Sequence, residues 1–267
     1  MKKFLFVFLI SCISLTISTC SINWGSNKDD TTSGLFVSVG NSGTIIISSD
    51  GITWIFSTSG TSSNLWGINY GNSTFVTVGD SGTILTSSDG TSWDNRTSDV
   101  SSTLYGVTYG NSTFVTIGDN GTILTSSDGT SWDNRTSDVS STLYGVTYGN
   151  STFVTVGDNG TILTSSDGTT WTSRTSNTSK NLYGVIYGNS TFVTRGGSGT
   201  ILTSSDGTSW TSRTSGASDT LWGVIYGKSA YVVVGTLGTV LTSSDLTTWT
   251  SRTSNTSNNL LEVTYKE

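Results

Sequence analysis

The sequence predicts an all-β chain folded as a closed ring of six four-stranded antiparallel blades, and three observations carry that expectation. Six tryptophans, Trp54, Trp93, Trp132, Trp171, Trp210 and Trp249, recur every 39 residues, a fixed period of the kind that marks stacked supersecondary units. Each period holds four short strand-patterned runs separated by turn residues, and four antiparallel strands in about 40 residues make one blade of a β-propeller. The chain ends are complementary fractions of the repeat. The first unit starts at its second strand, residues 35–39, and the last is only a first strand, residues 260–265. Together they make one whole blade, closing the ring without exposed sheet edges.

The unit is clearest in its third full occurrence. Leu143-Tyr-Gly-Val-Thr-Tyr148 alternates like a strand and runs into Gly149-Asn150, a hairpin signal. Thr152-Phe-Val-Thr-Val156 follows, closed by Gly157-Asp158-Asn159-Gly160; Thr161-Ile-Leu-Thr164 is the third strand. The turn Ser166-Asp167-Gly168 leads into the outermost strand, Thr170-Trp-Thr-Ser-Arg174. No stretch beyond the first twenty residues has helical periodicity. A parallel β-helix is the runner-up, but its coils are shorter and lack two tight hairpins per unit.

The N-terminus reads differently. Lys2 and Lys3 precede an apolar run from Phe4 to Ile17 that is too short for an ordinary membrane span and has the form of an export signal. Ile17-Ser18-Thr19-Cys20 resembles the bacterial lipobox, with Thr19 where that family has Gly, Ala or Ser. The resemblance implies cleavage before Cys20 and its lipidation, which holds the protein on a membrane. Leu9-Ile10-Ser11-Cys12 fits the letters but leaves a very short apolar core; simple secretion and a retained anchor stay open. The expected organisation is a signal over residues 1–19, a lipidated Cys20 with a polar tether over residues 20–34, and the propeller over residues 35–267. Both cysteines lie in or beside the signal, so no disulfide is expected.

Composition narrows function. The formal charge is −6 and the sequence pI about 4.5; without a basic stripe to neutralise phosphates, nucleic acid is not an expected partner. The chain has no histidine, which removes His-based triads and the commonest metal sites. No cofactor and no metal is called for.

Ser87-Ser-Asp89-Gly90-Thr-Ser-Trp93 resembles the Asp-box, or bacterial neuraminidase repeat, with one fewer residue between Asp and Trp. It recurs with Asp50, Asp128, Asp167 and Asp206, and at Asp245 with Leu246 in place of glycine. The whole unit resembles propellers of the sialidase and photosystem II assembly-factor type, through its Leu-x-x-Val-x-Tyr, Val-Gly and Gly-Thr-Ile-Leu framing. The carboxylate can accept N–H bonds within its own turn, glycine suits a positive φ there, and the tryptophan can bury its ring between blades. The resemblance implies a structural turn at the outer rim, so Leu246 is expected to strain or remodel one turn without touching any site.

A sialidase site would need an arginine cluster at the axis with a tyrosine nucleophile and its glutamate. Here Arg96, Arg135, Arg174, Arg213 and Arg252 lie three residues after a tryptophan on the outermost strand, where one per blade cannot converge; a solvated edge is their expected role. Departures from the repeat mark the ligand-binding candidates. Arg195 replaces the Val or Ile at positions 78, 117, 156 and 234, and Glu262 replaces the glycine at 67, 106, 145, 184 and 223. That glycine suits close approach at the axis, so the glutamate is expected to reach the channel. The two come from non-neighbouring blades, against a direct ion pair. Trp66, Tyr105, Tyr144, Tyr183 and Trp222 share one repeat position and could form an aromatic zone or pack between blades. Asp80, Asp119 and Asp158 could offer oxygen ligands to a cation such as Ca²⁺, though turn formation accounts for them.

Residues 65–103 and 104–142 differ at only five positions. Near-identical blades poorly supply the different groups an asymmetric active site needs, but readily supply a repeated surface for multivalent recognition. The sequence therefore reads as an exported, lipid-anchored, monomeric propeller of the bacterial cell envelope, not an enzyme, that binds an unidentified protein or glycan partner. A sialidase-like glycoside hydrolase and an envelope assembly factor are the alternatives.

Overall fold

The computed structural model describes residues 34–265; the expected signal, Cys20 and all but the last residue of the tether lie outside the described residues. Six sheets follow the repeat in chain order, with no β-pairing between sheets. Blade 1 holds β1 (Phe36–Val39), β2 (Ile45–Ser48) and β3 (Ile55–Ser57); blade 2 holds β4 (Leu65–Gly71), β5 (Thr74–Gly79), β6 (Ile84–Ser87) and β7 (Asp94–Arg96). Blade 3 holds β8 (Leu104–Gly110), β9 (Thr113–Gly118), β10 (Ile123–Ser126) and β11 (Asp133–Arg135). Blade 4 holds β12 (Leu143–Gly149), β13 (Thr152–Gly157), β14 (Ile162–Ser165) and β15 (Thr172–Arg174). Blade 5 holds β16 (Leu182–Gly188), β17 (Thr191–Gly196), β18 (Ile201–Ser204) and β19 (Thr211–Arg213), and blade 6 holds β20 (Leu221–Gly227), β21 (Ala230–Gly235), β22 (Val240–Ser243) and β23 (Thr250–Ser251). The fold is an all-β six-bladed propeller.

Turn chemistry fixes each register. The first hairpin of blade 4 turns through Asn150 (φ 45°) and Ser151 (φ 57°), the doubly left-handed pair a two-residue hairpin favours. The loop is thus Asn-Ser, one residue later than the Gly-Asn pair the sequence suggested. Gly149 ends β12 instead, and a Cβ there would lie 2.1 Å from the Tyr187 ring of the next blade.

The core lies between blades. At the blade 2–blade 3 interface Val76, Val78 and Ile84 meet Leu104, Phe114, Leu124 and Trp132, and equivalent sets recur between later blades. Buried side chains of this size each contribute about 1.5–3 kcal/mol, so inter-blade burial is the main force holding the ring.

The expected closing ladder between residues 260–265 and β1 is not formed: the first sheet has three strands. The C-terminal segment takes the sixth place at the axis, beside β20, with the Leu260 N–H donating to the Gly235 carbonyl at 2.9 Å. The same bond joins Leu65 to Gly40 between blades 1 and 2, at 3.0 Å. At Gly67, Gly145 and Gly223 a Cβ would come within 2.6–2.9 Å of the adjoining strand's backbone, and Glu262 carries a real Cβ at that position. The rim between blades 6 and 1 is open. Phe36 is 39 % exposed where its counterpart Phe114 is fully buried. Gly129 faces Val76 and Thr86 of the preceding blade, whereas Gly51 faces only Phe36 of its own.

Candidate functional site

The feature that builds the site is a β-bulge. In blades 2 to 6 the pairing of the first two strands jumps, as from Leu65↔Gly79 to Gly67↔Val78, leaving residue 66 without a partner. The same jump occurs at residues 105, 144, 183 and 222. A bulge re-aims the extra side chain, and here the extra residues are Trp66, Tyr105, Tyr144, Tyr183 and Trp222. The buried Thr77, Thr116, Thr155 and Thr194 hydroxyls each donate at 2.9 Å to the carbonyl of the glycine after the bulge. That explains a polar residue in the middle of each of these blades. The sequence signal was the fixed aromatic-Gly pair; the strand assignment alone did not show that it breaks register.

The five aromatic side chains line the wall of a central cavity of about 640 Å³, with Leu261 in the sixth place. Successive ring centroids lie 6.0, 5.4, 5.6 and 4.7 Å apart from Trp66 round to Trp222. The arrangement is both an aromatic zone and inter-blade packing, because each ring contacts the next blade's ring while lining the cavity. Glycines 67, 106, 145 and 184 form the next layer of the wall, with Glu262 in their series.

Behind three of the rings sit the loop carboxylates. The Trp66 indole N–H donates to Asp80 at 2.6 Å; Asp119 and Asp158 face the Tyr105 and Tyr144 phenols, with Asp119 also accepting from the Thr142 hydroxyl at 3.2 Å and one oxygen of Asp158 buried without a partner. Burial, then the neighbouring aspartates, pushes the Tyr144 phenol up to about 12 and the Tyr105 phenol in the same direction. The Ca²⁺ reading of these aspartates is corrected: among the described residues no group of three or more His, Cys, Asp or Glu converges. Each carboxylate serves an aromatic side chain of its own blade instead.

Blades 5 and 6 have Gly197 and Thr236 where blades 2 to 4 have aspartate, and the Trp222 indole N–H is buried without an acceptor. Arg195 lines the same cavity. A Cβ on Gly184 would meet the Arg195 guanidinium at 2.5 Å, so this side chain fills the space that opens toward β20. Its Nε and Nη1 are buried without hydrogen-bond partners. Burial lowers its pKa to about 10, and the charge of Glu262 offsets only part of that effect. Arg195 and Glu262 both line the cavity and feel each other electrostatically although their blades are not neighbours. The sequence argued against a direct ion pair between them, and the interaction found is a charge effect of Glu262 on Arg195.

The remaining motif residues lie at the rim. In every blade the turn aspartate accepts N–H bonds from the residues two and three positions on, as Asp128 does from Thr130 and Ser131 at 2.7 and 3.2 Å. The N–H of Thr53, then that of Ile52 and the Ser48 hydroxyl, lower the Asp50 carboxyl to about 2; Asp89, Asp128, Asp167, Asp206 and Asp245 are also held well below the ordinary carboxylate range. Trp132, Trp171 and Trp210 are buried and donate to the carbonyl of their turn glycine. Trp54, at the open rim, is 41 % exposed. Leu246 keeps the turn in the left-handed region at φ 64°, its N–H still bonded to Ser243 at 2.8 Å. The turn is strained but not remodelled, and Trp249 loses its indole acceptor. The rim arginines do not converge. Their Nε atoms donate to threonine hydroxyls of the adjoining strand, as Arg96 does to Thr86 at 2.8 Å, so they tie the outer strands together rather than forming a purely solvated edge.

No family model matches the chain, and no curated protein matches it. Solved structures do. YCF48 bound to a D1 peptide superposes with a TM-score of 0.65 at 19% identity, over 80% of this chain and 76% of that one. YCF48 from Cyanidioschyzon merolae gives 0.67 at 16%, over 84% and 83%. The GH74 enzyme of Niastella koreensis gives 0.60 at 18%, over 81% of this chain but 35% of the enzyme. At these identities the likeness is one of fold, and the fold is the six-bladed β-propeller.

Proposed function

We propose that the protein is an exported, lipid-anchored propeller without catalytic activity, a binding scaffold that engages a protein or glycan partner at its axial cavity. The observation that carries this reading is the aromatic arc. Five bulged side chains present a concave, largely apolar wall with a few polar groups placed around it, the usual composition of a binding site. Their alignment depends on repetition of one blade, which favours recognition over the unlike groups that a reaction requires. The likeness to YCF48, which has been captured with a D1 peptide, supports a protein partner and is compatible with an envelope assembly role. Lipidation at Cys20 would place the cavity near a membrane surface.

The test is a glycan-array and pull-down screen of the purified protein beside its Tyr105→Ala/Tyr144→Ala variant. A partner retained by the parent and lost by the variant is expected; a partner insensitive to the arc overturns the assignment. The second reading, a glycoside hydrolase, rests on Glu262 at the cavity and the likeness to the GH74 enzyme. Turnover of a fluorogenic sialoside or other glycoside, abolished by Glu262→Gln, would establish it. Loss of the protein from the membrane fraction on Cys20→Ser tests the anchor.

A further inference from the structure

The mouth of the cavity is electrically lopsided. On blades 2, 3 and 4 every bulged ring has a carboxylate behind it: the Trp66 N–H donates to Asp80, and Asp119 and Asp158 act on the Tyr105 and Tyr144 phenols, raising their pKa. On blades 5, 6 and 1 the aspartate is replaced by Gly197, Thr236 and Asn41. A donor bonded to a carboxylate pushes electron density into its own ring and deepens the negative face of the π system, which attracts cations. Three such rings stand side by side, and the charges behind them act in a partly desolvated setting where attraction is stronger than in water. Among the described lining residues Arg195 is the one basic side chain; it comes from blade 5, outside the three-ring arc, and feels the charge of Glu262.

The spacing suits a small cation. The Trp66–Tyr105 and Tyr105–Tyr144 centroids are 6.0 and 5.4 Å apart, with planes inclined at 54° and 56°, close to the 60° of a six-fold ring. A cation lodged between neighbouring rings of blades 2 to 4 lies within the roughly 6 Å reach of a cation–π contact from both centroids.

We propose that Trp66, Tyr105 and Tyr144, backed by Asp80, Asp119 and Asp158, bind an organic cation, a primary or methylated ammonium group. Its source is a free amine or a lysine side chain of a protein partner. The inference rests on reading the cavity as the binding site and adds the chemistry of what enters it.

The test is calorimetric titration of the full chain with choline, with its neutral isostere 3,3-dimethylbutan-1-ol, and with a short lysine peptide and its acetyl-lysine form. Choline or the lysine peptide is expected to bind at least tenfold more tightly than its uncharged counterpart. The double variant Asp119→Asn/Asp158→Asn, which keeps an acceptor oxygen for each phenol and removes the charge, should lose about tenfold in cation affinity at an unchanged melting temperature. Choline alone binding identifies a small amine as the source; the peptide alone identifies a protein. Equal affinity for charged and neutral probes, no binding of any probe, or indifference to the double variant overturns the inference. If a glycan or protein partner is still lost on Tyr105→Ala/Tyr144→Ala while no cation binds, the scaffold reading stands and only its cationic chemistry falls.

Discussion

At the residue scale, the positions that break the repeat show which force prevails locally. Leu246 sits where a left-handed φ costs a non-glycine residue about 1–2 kcal/mol, yet its side chain is buried among Val193, Leu221 and Tyr231, a gain of about 2 kcal/mol. Leu246→Gly should therefore change stability by less than about 1 kcal/mol, because strain relief and lost burial nearly cancel. Leu246→Ala keeps the strain and loses the burial, so urea midpoints should rank the parent first, then Gly, then Ala; Ala equal to or above Gly would refute this balance. Arg195 is the opposite case. Two of its donors are buried without partners, at about 1–3 kcal/mol each, and the repeat offers valine at the same place. Arg195→Val with Glu262→Gly is expected to raise the melting temperature. A fall would mean that the pair serves stability and not binding.

At the element scale, the rim turn is a folded-state trap for a negative charge. Six aspartates accept N–H bonds in it, and their pKa values lie below the unfolded value near 3.9. A depressed folded pKa stabilises the fold at every pH above the unfolded value, and the benefit is lost as pH falls through the folded one. Chemical-denaturation midpoints should be flat from about pH 7 to 5 and decline from about pH 4 toward 2. Asp128→Asn, which cannot titrate, should lower the midpoint at neutral pH and make the acid decline shallower. An unchanged acid decline would show that other carboxylates govern it.

At the scale of the whole molecule, five blade interfaces are joined by the chain itself, whereas the sixth depends on residues 260–265 lying beside β20. The uncovered Phe36 and Trp54 mark that interface as the weakest. Hydrogen exchange should find the amides of β1–β3 opening at lower free energy than those of β9 and β13, whose strands are paired on both sides and covered by blades on both faces. Truncation after Asn259 removes the Leu260 N–H bond to Gly235 and should spread fast exchange into β20. Uniform protection across all six blades would contradict an open rim.

Much of this was legible in the sequence because a repeat writes the same local instruction many times. The 39-residue period and the turn residues determined the blade repeat, strand order and rim turns, all of them consequences of short-range hydrogen bonding and alternation of side-chain faces. Tertiary structure alone decided the rest. The bulge that turns Trp66 and its counterparts toward the axis depends on inter-strand register, and the charge effect of Glu262 on Arg195 depends on side-chain reach across the cavity. Each of these depends on distances between blades, which no spacing along one chain can encode.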